Sequence, residues 1–318
     1  MNLLIVIVNY RSSGLAIDCL RSLEPEVAIV PGSRVVLVEN ASGDDSAAVL
    51  ASAIEENGWS SWVKLVNAPS NGGFAAGNNV ALRPAFSSTS PPDYAWLLNP
   101  DTIVRPGALV ELVNFLERRP DVGLVGSRLE HPDTRPQQSA FRFPGILSEL
   151  EGGLRFGPAT RLLQRYKVPL PIPEKECRVD WMAGASLLIR RAVFEAIGLL
   201  DEGYFMYFEE VDFCLKANQA GWPSWYVPSS RVVHLVGQSS GVTASNTYRK
   251  RRPRYWFEAR HRFFLKNHGR LKTIVANLAF ATAYASARLR GLIQRKPNTD
   301  PEQMFRDFLR YNFLSVKR

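Results

Sequence analysis

The stretch "YAWLLNPDTIVRPGAL", Tyr94 to Leu109, decides the fold. An apolar run, Tyr94–Leu98, breaks off at Asn99-Pro100-Asp101. Asn, Pro and Asp all favour turns. In open α/β sheets, ligands also sit beyond the carboxyl ends of the strands. A strand that stops at an amide, a proline and a carboxylate therefore reads as a plain turn or as one corner of a site. Pro100 stiffens that turn, so the Asp101 carboxylate is positioned before any ligand arrives.

The surrounding rhythm favours the site. Apolar runs at Leu3–Val8, Arg34–Val38, Val63–Val66, Tyr94–Leu98 and Val122–Val125 read as strands. They alternate with helical patterns over Leu15–Leu23, Asp44–Glu56, Ala75–Leu82 and Pro106–Arg118. This order predicts an α/β fold with a mostly parallel central sheet and helices on both faces. The strands are nearly all apolar, as strands covered on both faces should be. Residues 131–175 are rich in Pro, Arg and Gly, and loops with short helices are expected there. Order returns with a strand at Ser186–Ile189 and helices at Arg191–Ile197 and Glu209–Ala220. Short strands follow at Trp225–Val227 and Val232–His234.

Composition narrows the function. Cys19, Cys177 and Cys214 are odd in number and unrelated in spacing, so neither a zinc pattern nor a disulfide framework is expected, and a reducing compartment fits. The opening "MNLLIVIVNYRSSG" lacks a basic flank and a cleavage site and reads as a first strand rather than a signal peptide. Charge is uneven. Residues 248–318 hold 18 Lys and Arg against 4 Asp and Glu, net +14, which leaves residues 1–247 at net −5. The basic segment suits nucleic acid, an anionic membrane surface or a phosphate-bearing ligand. Within it, Thr273–Ala287 is mostly apolar but shorter than the roughly 20 residues of a membrane span. It reads either as an interfacial helix or as one docked on the domain.

Polar interruptions fall at the ends of four predicted strands. They are Asn9-Tyr10-Arg11, Glu39-Asn40-Ala41-Ser42, the run Asn71-Gly72-Gly73-Phe74-Ala75-Ala76-Gly77-Asn78, and Asn99-Pro100-Asp101. Each alone is weak. Together they set an aromatic ring, a carboxylate, a glycine loop and a second carboxylate along one sheet edge. Tyr10 can stack on a base, and Glu39 can accept from a base imide or a ribose hydroxyl. Glycines admit a bulky ligand close to the backbone. Asp101 is a hard oxygen ligand suited to Mg2+ or Mn2+ on a diphosphate. The glycine run does not match the dinucleotide fingerprint. A second group, "YFMYFEEVDFCLKANQAGW" from Tyr204 to Trp222, crowds Glu209, Glu210 and Asp212 at a helix start. Helix-dipole pairing explains part of this. Crowded carboxylates also raise one another's pKa, which makes a general base near neutral pH. His234 in "HLVGQSS" is a candidate metal ligand or a structural histidine. Trp181 with Gly184 and Ala185 in "DWMAGASLLIRR" is a sugar platform or a core aromatic.

This ordered set resembles the family 2 glycosyltransferases of GT-A (Rossmann-like) fold over roughly residues 1–270. "IVIVNYRS" is similar to the family's opening strand, and "VVLVENASGDDS" to its nucleotide-binding turn, with Glu39 where Asp is usual. "NGGFAAGNN" and "LLNPDT" resemble the next two motifs, the latter standing where the metal-binding D-x-D stands, with Asn99 for the first Asp. "YFMYFEEVDFCLK" resembles the acidic catalytic motif, with Glu209-Glu210 for the common Glu-Asp. Within the family, "RPRYWFEARHRFFLKNHG" is most similar to bacterial rhamnosyltransferases of cell-surface polysaccharide synthesis.

The resemblance implies an inverting transfer from a sugar nucleotide, dTDP-L-rhamnose first, to a glycan or a polyprenyl-diphosphate-linked glycan. A galactofuranosyl or glucosyl donor would use the same frame. It implies nucleotide-sugar contacts at Asn9, Tyr10, Glu39, Asn40, Asn71, Gly73, Asn78, Asn99 and Asp101. Asp101 and His234 would meet a divalent metal, Mg2+ or Mn2+. Glu210 would be the base, with Glu209 or Asp212 as the alternatives, and Trp181, Gly184 and Ala185 would line the acceptor or sugar pocket. The implied division is a catalytic domain over 1–247, with a nucleotide-binding half, 1–130, and an acceptor-binding half, 131–247. A basic helical extension, 248–318, follows. The expected location is cytoplasmic, peripheral on the inner membrane face, without nucleic acid. Two rivals stay open. The basic-aromatic "YRKRRPRY" suggests a nucleic-acid binder, and the two acidic-motif substitutions suggest a sugar-nucleotide binder without catalysis.

Overall fold

The computed structural model describes residues 1–235 and 250–314. β1 (Leu3–Asn9) runs between β2 (Ser33–Glu39) and β4 (Tyr94–Leu98), parallel to both. Its side chains alternate between two cores, Leu3, Ile5 and Ile7 in one and Leu4, Val6 and Val8 in the other. The run is continuously apolar because both faces are covered. α1 (Ser13–Ile29), α2 (Ser46–Glu56) and α4 (Ala108–Arg118) fill the first core. α3 (Gly73–Phe86), α7 (Arg191–Ile197) and α8 (Glu209–Gln219) fill the second.

β3 (Val63–Asn67) completes a wholly parallel half. The other half is mixed. β10 (Ser186–Arg190) lies antiparallel between β4 and β6 (Leu124–Glu130). β11 (Ser224–His234) runs parallel to β6 and antiparallel to β5 (Thr102–Val104) and β8 (Cys177–Val179). The expected mostly parallel sheet thus describes the N-terminal half only. β10 enters from a small antiparallel ribbon, β7 (Ala140–Phe141) with β9 (Trp181–Met182), and not from a helical crossover, so it need not run parallel. The two short strands expected around 225–234 are one strand whose register shifts between Val227 and Arg231. Pro228 lies in that gap and has no N–H to donate.

The basic extension is helical, as expected. α9 (Arg254–Ile293) turns at Gly269, where φ is +78°, and α10 (Met304–Leu309) follows. α9 packs along α5 (Ile146–Leu154), which precedes α6 (Gly157–Leu162). Gly153 permits the approach, since a Cβ there would stand 2.7 Å from Ala283 Cβ. Arg260, only 2% exposed, knots these parts. It donates to Glu149 at 2.7 Å, Asn277 at 2.6 Å and Asn312 at 2.8 Å, and lies over the rings of Phe264 and Phe308. The apolar stretch Thr273–Ala287 lies within α9 and presents apolar residues on both its buried and its exposed side. Ala276, Ala281 and Tyr284 are buried, while Ile274, Val275 and Leu278 are exposed. Among the described residues, no helix is long and apolar enough to cross a membrane. The 247/248 boundary and the turn after Leu235 lie outside the described residues.

Replacing Arg260 with Ala leaves Glu149 and two amides without their shared partner. The expected loss is on the order of 3–5 kcal/mol, read by urea unfolding. A loss under about 1 kcal/mol would show that this knot does not hold the extension.

Candidate active site

The parallel register levels the strand ends. Asn9 pairs with Glu39, Glu39 with Asn67, and Ile7 with Leu98. Asn9 is fully buried and accepts from Ser12 at 3.0 Å, while its Nδ2 has no partner among the described residues. Tyr10 keeps partial exposure, with the Arg11 guanidinium beside its ring. Glu39 is turned into its own loop and accepts from the N–H groups of Ala41 at 3.0 Å and Ser42 at 2.8 Å. Two of roughly four acceptor positions are thereby filled. Asn40 reaches across to Asn71 Oδ1 at 3.1 Å and the Gly73 carbonyl at 3.3 Å, tying the second loop to the glycine loop. Asn71 also accepts from the Gly73 N–H, and Asn78 caps back to the Phe74 carbonyl inside α3.

The glycine loop meets the acidic segment. Gly73 has φ +82°, and a Cβ there would overlap the Phe205 carbonyl oxygen. The next N–H, of Phe74, donates to that carbonyl at 2.9 Å. The close backbone approach made possible here is therefore to the chain's own residues 204–206. Downstream, Tyr207 (φ 71°) and Phe208 (φ 67°) are consecutive non-glycine residues with left-handed backbone, a strained geometry that turns the chain into α8. Tyr255 of α9 braces this turn, its ring near Phe205 and Tyr207.

Glu209 and Glu210 open α8. Glu209 is 4% exposed and Glu210 partly buried, and Oε2 of each has no partner among the described residues. Burial, then the Glu210 charge, raises the Glu209 pKa well above the carboxylate range. Burial pushes Glu210 up to about 7, against N–H groups of the helix start that favour its charged form. Asp212 is placed differently. It accepts from Lys266 at 2.8 Å, Asn267 at 2.8 Å and the Tyr204 hydroxyl at 3.3 Å, and so fastens α8 to α9.

On the facing side, the Asn99 N–H donates to the Ala185 carbonyl at 3.1 Å, and Gly184 lies 3.8 Å from Glu210 Cβ by its open Cβ position. Two adjacent residues thus connect the acidic pair to the "NPD" turn. Asp101 is buried, and its Oδ1 is 3.5 Å from His234 Nε2, which is also 3.5 Å from Asn99 Nδ2. β5 pairing with β11 sets His234 opposite Thr102 and produces this meeting. Asp101 Oδ1 and His234 Nε2 are the atoms here that can share one cation. Trp181 is half-buried, one face stacked on Phe141 with centroids 4.1 Å apart and its N–H given to the Arg142 carbonyl. Only its other face can serve as a platform.

Sequence reasoning missed three contributors. Gln137 donates to the His234 carbonyl at 2.7 Å and fixes that histidine's backbone. Lys266 joins Asp201 and Asp212. Arg252, over the Trp256 ring, holds a buried Nε without a partner among the described residues. Arg252 lay within "YRKRRPRY", which suggested nucleic-acid binding, and Lys266 within "RPRYWFEARHRFFLKNHG", which carried only a resemblance, so neither was singled out.

The folded pKa of Glu210 lies above its ordinary 4.5, so the native state holds this proton more tightly than the unfolded chain. The contribution of Glu210 to stability is then fully present below pH 4.5 and is lost as pH rises to about 7. Glu210→Gln removes that loss. It is expected to stabilise by on the order of 1–3 kcal/mol above neutrality and little in acid, read by unfolding at several pH values. Identical pH dependence in the two proteins would show Glu210 to be solvated. Gly73→Ala forces a left-handed alanine against Phe205 and is expected to lower the unfolding midpoint by several degrees.

Comparisons with known proteins agree with this architecture. The model of the family described as "Glycosyltransferase like family 2" matches residues 2–256. N-acetylglucosaminyl-diphospho-decaprenol L-rhamnosyltransferase of Mycobacterium tuberculosis is 34% identical over 154 residues, 47% of this chain and 49% of that protein. Rhamnosyltransferase WbbL of Escherichia coli is 28% identical over 180 residues, 56% of this chain and 66% of that protein. The chain thus spans about half to two thirds of the length of these relatives. Mannosyltransferase PcManGT from Pyrobaculum calidifontis, solved with GDP-Man and Mn2+, aligns at TM-score 0.57 and 16% identity, covering 92% of this chain and 75% of that one. GalNAc-T7, solved with UDP, GalNAc and Mn2+, aligns at 0.56 and 16%, covering 92% and 56%. The structural likeness shows a GT-A fold, and by its sequence the chain belongs to the family described as glycosyltransferase like family 2.

Proposed function

We propose that the chain transfers L-rhamnose from dTDP-L-rhamnose to a glycan carried on a polyprenyl diphosphate, with inversion, in bacterial cell-surface polysaccharide synthesis. The observation that carries this reading is the Glu209–Glu210 pair, the first buried and the second partly so, linked through Gly184-Ala185 to the Asp101–His234 corner. Relatives named rhamnosyltransferases support the sugar. The diphospho-decaprenol in one relative's name supports the lipid-linked acceptor.

The nucleotide lies over the level strand ends. Tyr10 stacks on its base, and Glu39 uses its remaining acceptor positions on base or ribose. Asn9, Asn40, Asn71, Gly73 and Asn78 shape the floor, and Asn99 and Asp101 face the diphosphate. The Asp101 carboxylate and the His234 imidazole, 3.5 Å apart, fit one divalent cation, with Mn2+ favoured over Mg2+ by the nitrogen donor. Such a cation, when bound, neutralises charge on the leaving diphosphate. Trp181, Gly184 and Ala185 flank the acceptor. Glu210 takes the proton of the acceptor hydroxyl. That oxygen bonds to the anomeric carbon on the face opposite the diphosphate, and the carbon–oxygen bond to phosphate breaks with its electron pair leaving on the nucleotide. A base poised at about 7 is half ionised near neutral pH. Asp212, held by Lys266, positions α8.

The second half of α9 carries Leu271, Ile274, Val275, Leu278, Leu289 and Leu292 as an exposed stripe. Arg270 and Lys272 stand exposed at one end, Arg295 and Lys296 at the other, and no acidic residue occurs from 259 to 299. An in-plane helix on an anionic bilayer has this form, and it would hold the chain peripherally on the cytoplasmic face. A nucleic-acid role gains little from the same segment, because Arg251, Arg254, Arg260, Arg262 and Lys266 are engaged in internal ion pairs.

Two experiments test these readings. Donor binding and turnover are measured over dTDP-rhamnose, UDP-galactofuranose and UDP-glucose with Mg2+ or Mn2+. Asp101→Ala is expected to weaken metal-dependent donor binding at least about tenfold. Glu210→Gln should retain donor binding and cut turnover by about 100-fold or more, with wild-type turnover rising through about pH 7. Binding of no sugar nucleotide, with or without metal, sinks the reading. Separately, flotation with anionic vesicles should be lost in Leu289→Asp/Leu292→Asp, and equal recovery of both proteins would remove α9 as the membrane face.

A further inference from the structure

A cleft of about 820 Å³ opens beside the β7–β9 ribbon, between α6 and residues 167–171. Arg142, Arg161, Arg165 and Lys167 line it, and among the described residues no carboxylate does. None of the four has an ion-pair partner among the described residues, whereas most basic side chains of α9 do. Arg142 is built in. Its N–H donates to the Val168 carbonyl at 2.8 Å, its guanidinium to the Lys167 carbonyl at 3.1 Å, and its own carbonyl accepts from Trp181. Four cations converging on one concavity without a counter-charge repel one another, and a polyanion relieves that repulsion. Arg presents paired donors that suit phosphate oxygens.

Position selects the anion. Trp181 binds the Arg142 backbone, and Gly184, which adjoins Glu210, is three residues on, a reach of at most about 10 Å. The cleft thus lies a short step from the base on the acceptor side. At its mouth, Leu162 is 82% exposed. α6 starts beside Phe156, on which Arg290 of α9 packs, so the cleft adjoins the C-terminal end of the exposed apolar stripe.

We infer that this cleft binds the diphosphate of a prenyl-diphosphate-linked acceptor, with the prenyl chain leaving past Leu162 toward the membrane face. The inference rests on the glycosyltransferase reading for its acceptor and stands apart from it in its test. The probe is farnesyl diphosphate, compared with inorganic pyrophosphate and farnesol. Binding to the full chain is measured with the donor site filled by saturating dTDP and Mg2+, so that the cleft is read alone.

Arg161→Ala/Arg165→Ala, both exposed side chains, should weaken farnesyl diphosphate at least about tenfold, and Arg161→Lys/Arg165→Lys should restore part of it. Farnesol should bind wild type and variant alike, and dTDP-rhamnose binding should not change. Equal farnesyl diphosphate affinity in wild type and variant overturns the inference. So does pyrophosphate binding as tight as farnesyl diphosphate, which would mark a free-phosphate site. Loss of phosphatidylglycerol-vesicle binding with soluble farnesyl diphosphate unaffected would mark a bilayer-phosphate contact and overturns it as well. A chain that binds farnesyl diphosphate but no sugar nucleotide would sink the transferase reading and leave the cleft assigned.

Discussion

Parallel pairing is the constraint on which the rest of the structure depends. Because β1, β2, β3 and β4 run the same way, their carboxyl ends lie on one edge. The residues after each strand are delivered to that edge, and in this chain they are polar each time. The same pairing dictates composition. Strands covered on both faces must be apolar along their length, so polar groups are admitted only where the strands end. The site is thus the place where the hydrophobic requirement of the sheet lapses.

The parallel half was legible for that reason. Predominantly apolar runs located β1 to β4 within a residue or two, and the polar interruptions after them pointed to Asn9, Glu39, Asn71 and Asp101. The features that stayed hidden depend on contacts between distant residues. The short strand β5 leaves no apolar run of its own, and its pairing with β11 across about 130 positions cannot be read from either segment. Yet that pairing brings His234 to Asp101. Gly73 was legible as a special backbone position. Its neighbour, the Phe205 carbonyl, was not. Asp212 shares a motif with Glu209 and Glu210, but 3.6-residue periodicity turns it to the Lys266 side of α8, where an ion pair awaits it.

The basic extension shows why net charge is a poor guide to surface. Its +14 suggested an exposed cationic segment. In the fold, Arg260 is a buried hub and Arg251, Arg262 and Lys266 close ion pairs with Asp307, Asp201 and Asp212. The outward surface left on α9 is chiefly apolar, bracketed by charge at its ends. A further group of cations without an ion-pair partner among the described residues lies around α6, in a segment where composition suggested loops and short helices.

These features combine along one line. Lys266 and Asn267 hold Asp212, so α9 sets the rotation of α8 and with it the direction of Glu209 and Glu210. The other half of α9, past Gly269, carries the exposed stripe. A single bent helix therefore runs from the exposed stripe to the acidic helix start. Its bend rests on a glycine that tolerates φ +78° at no steric cost, and its two halves are clamped by Arg260 through Asn277. The Arg260–Asn277 contact fixes the two halves of α9 to each other, and Lys266 and Asn267 fix its first half to Asp212, so the exposed stripe and the start of α8 are joined through one connected set of hydrogen bonds.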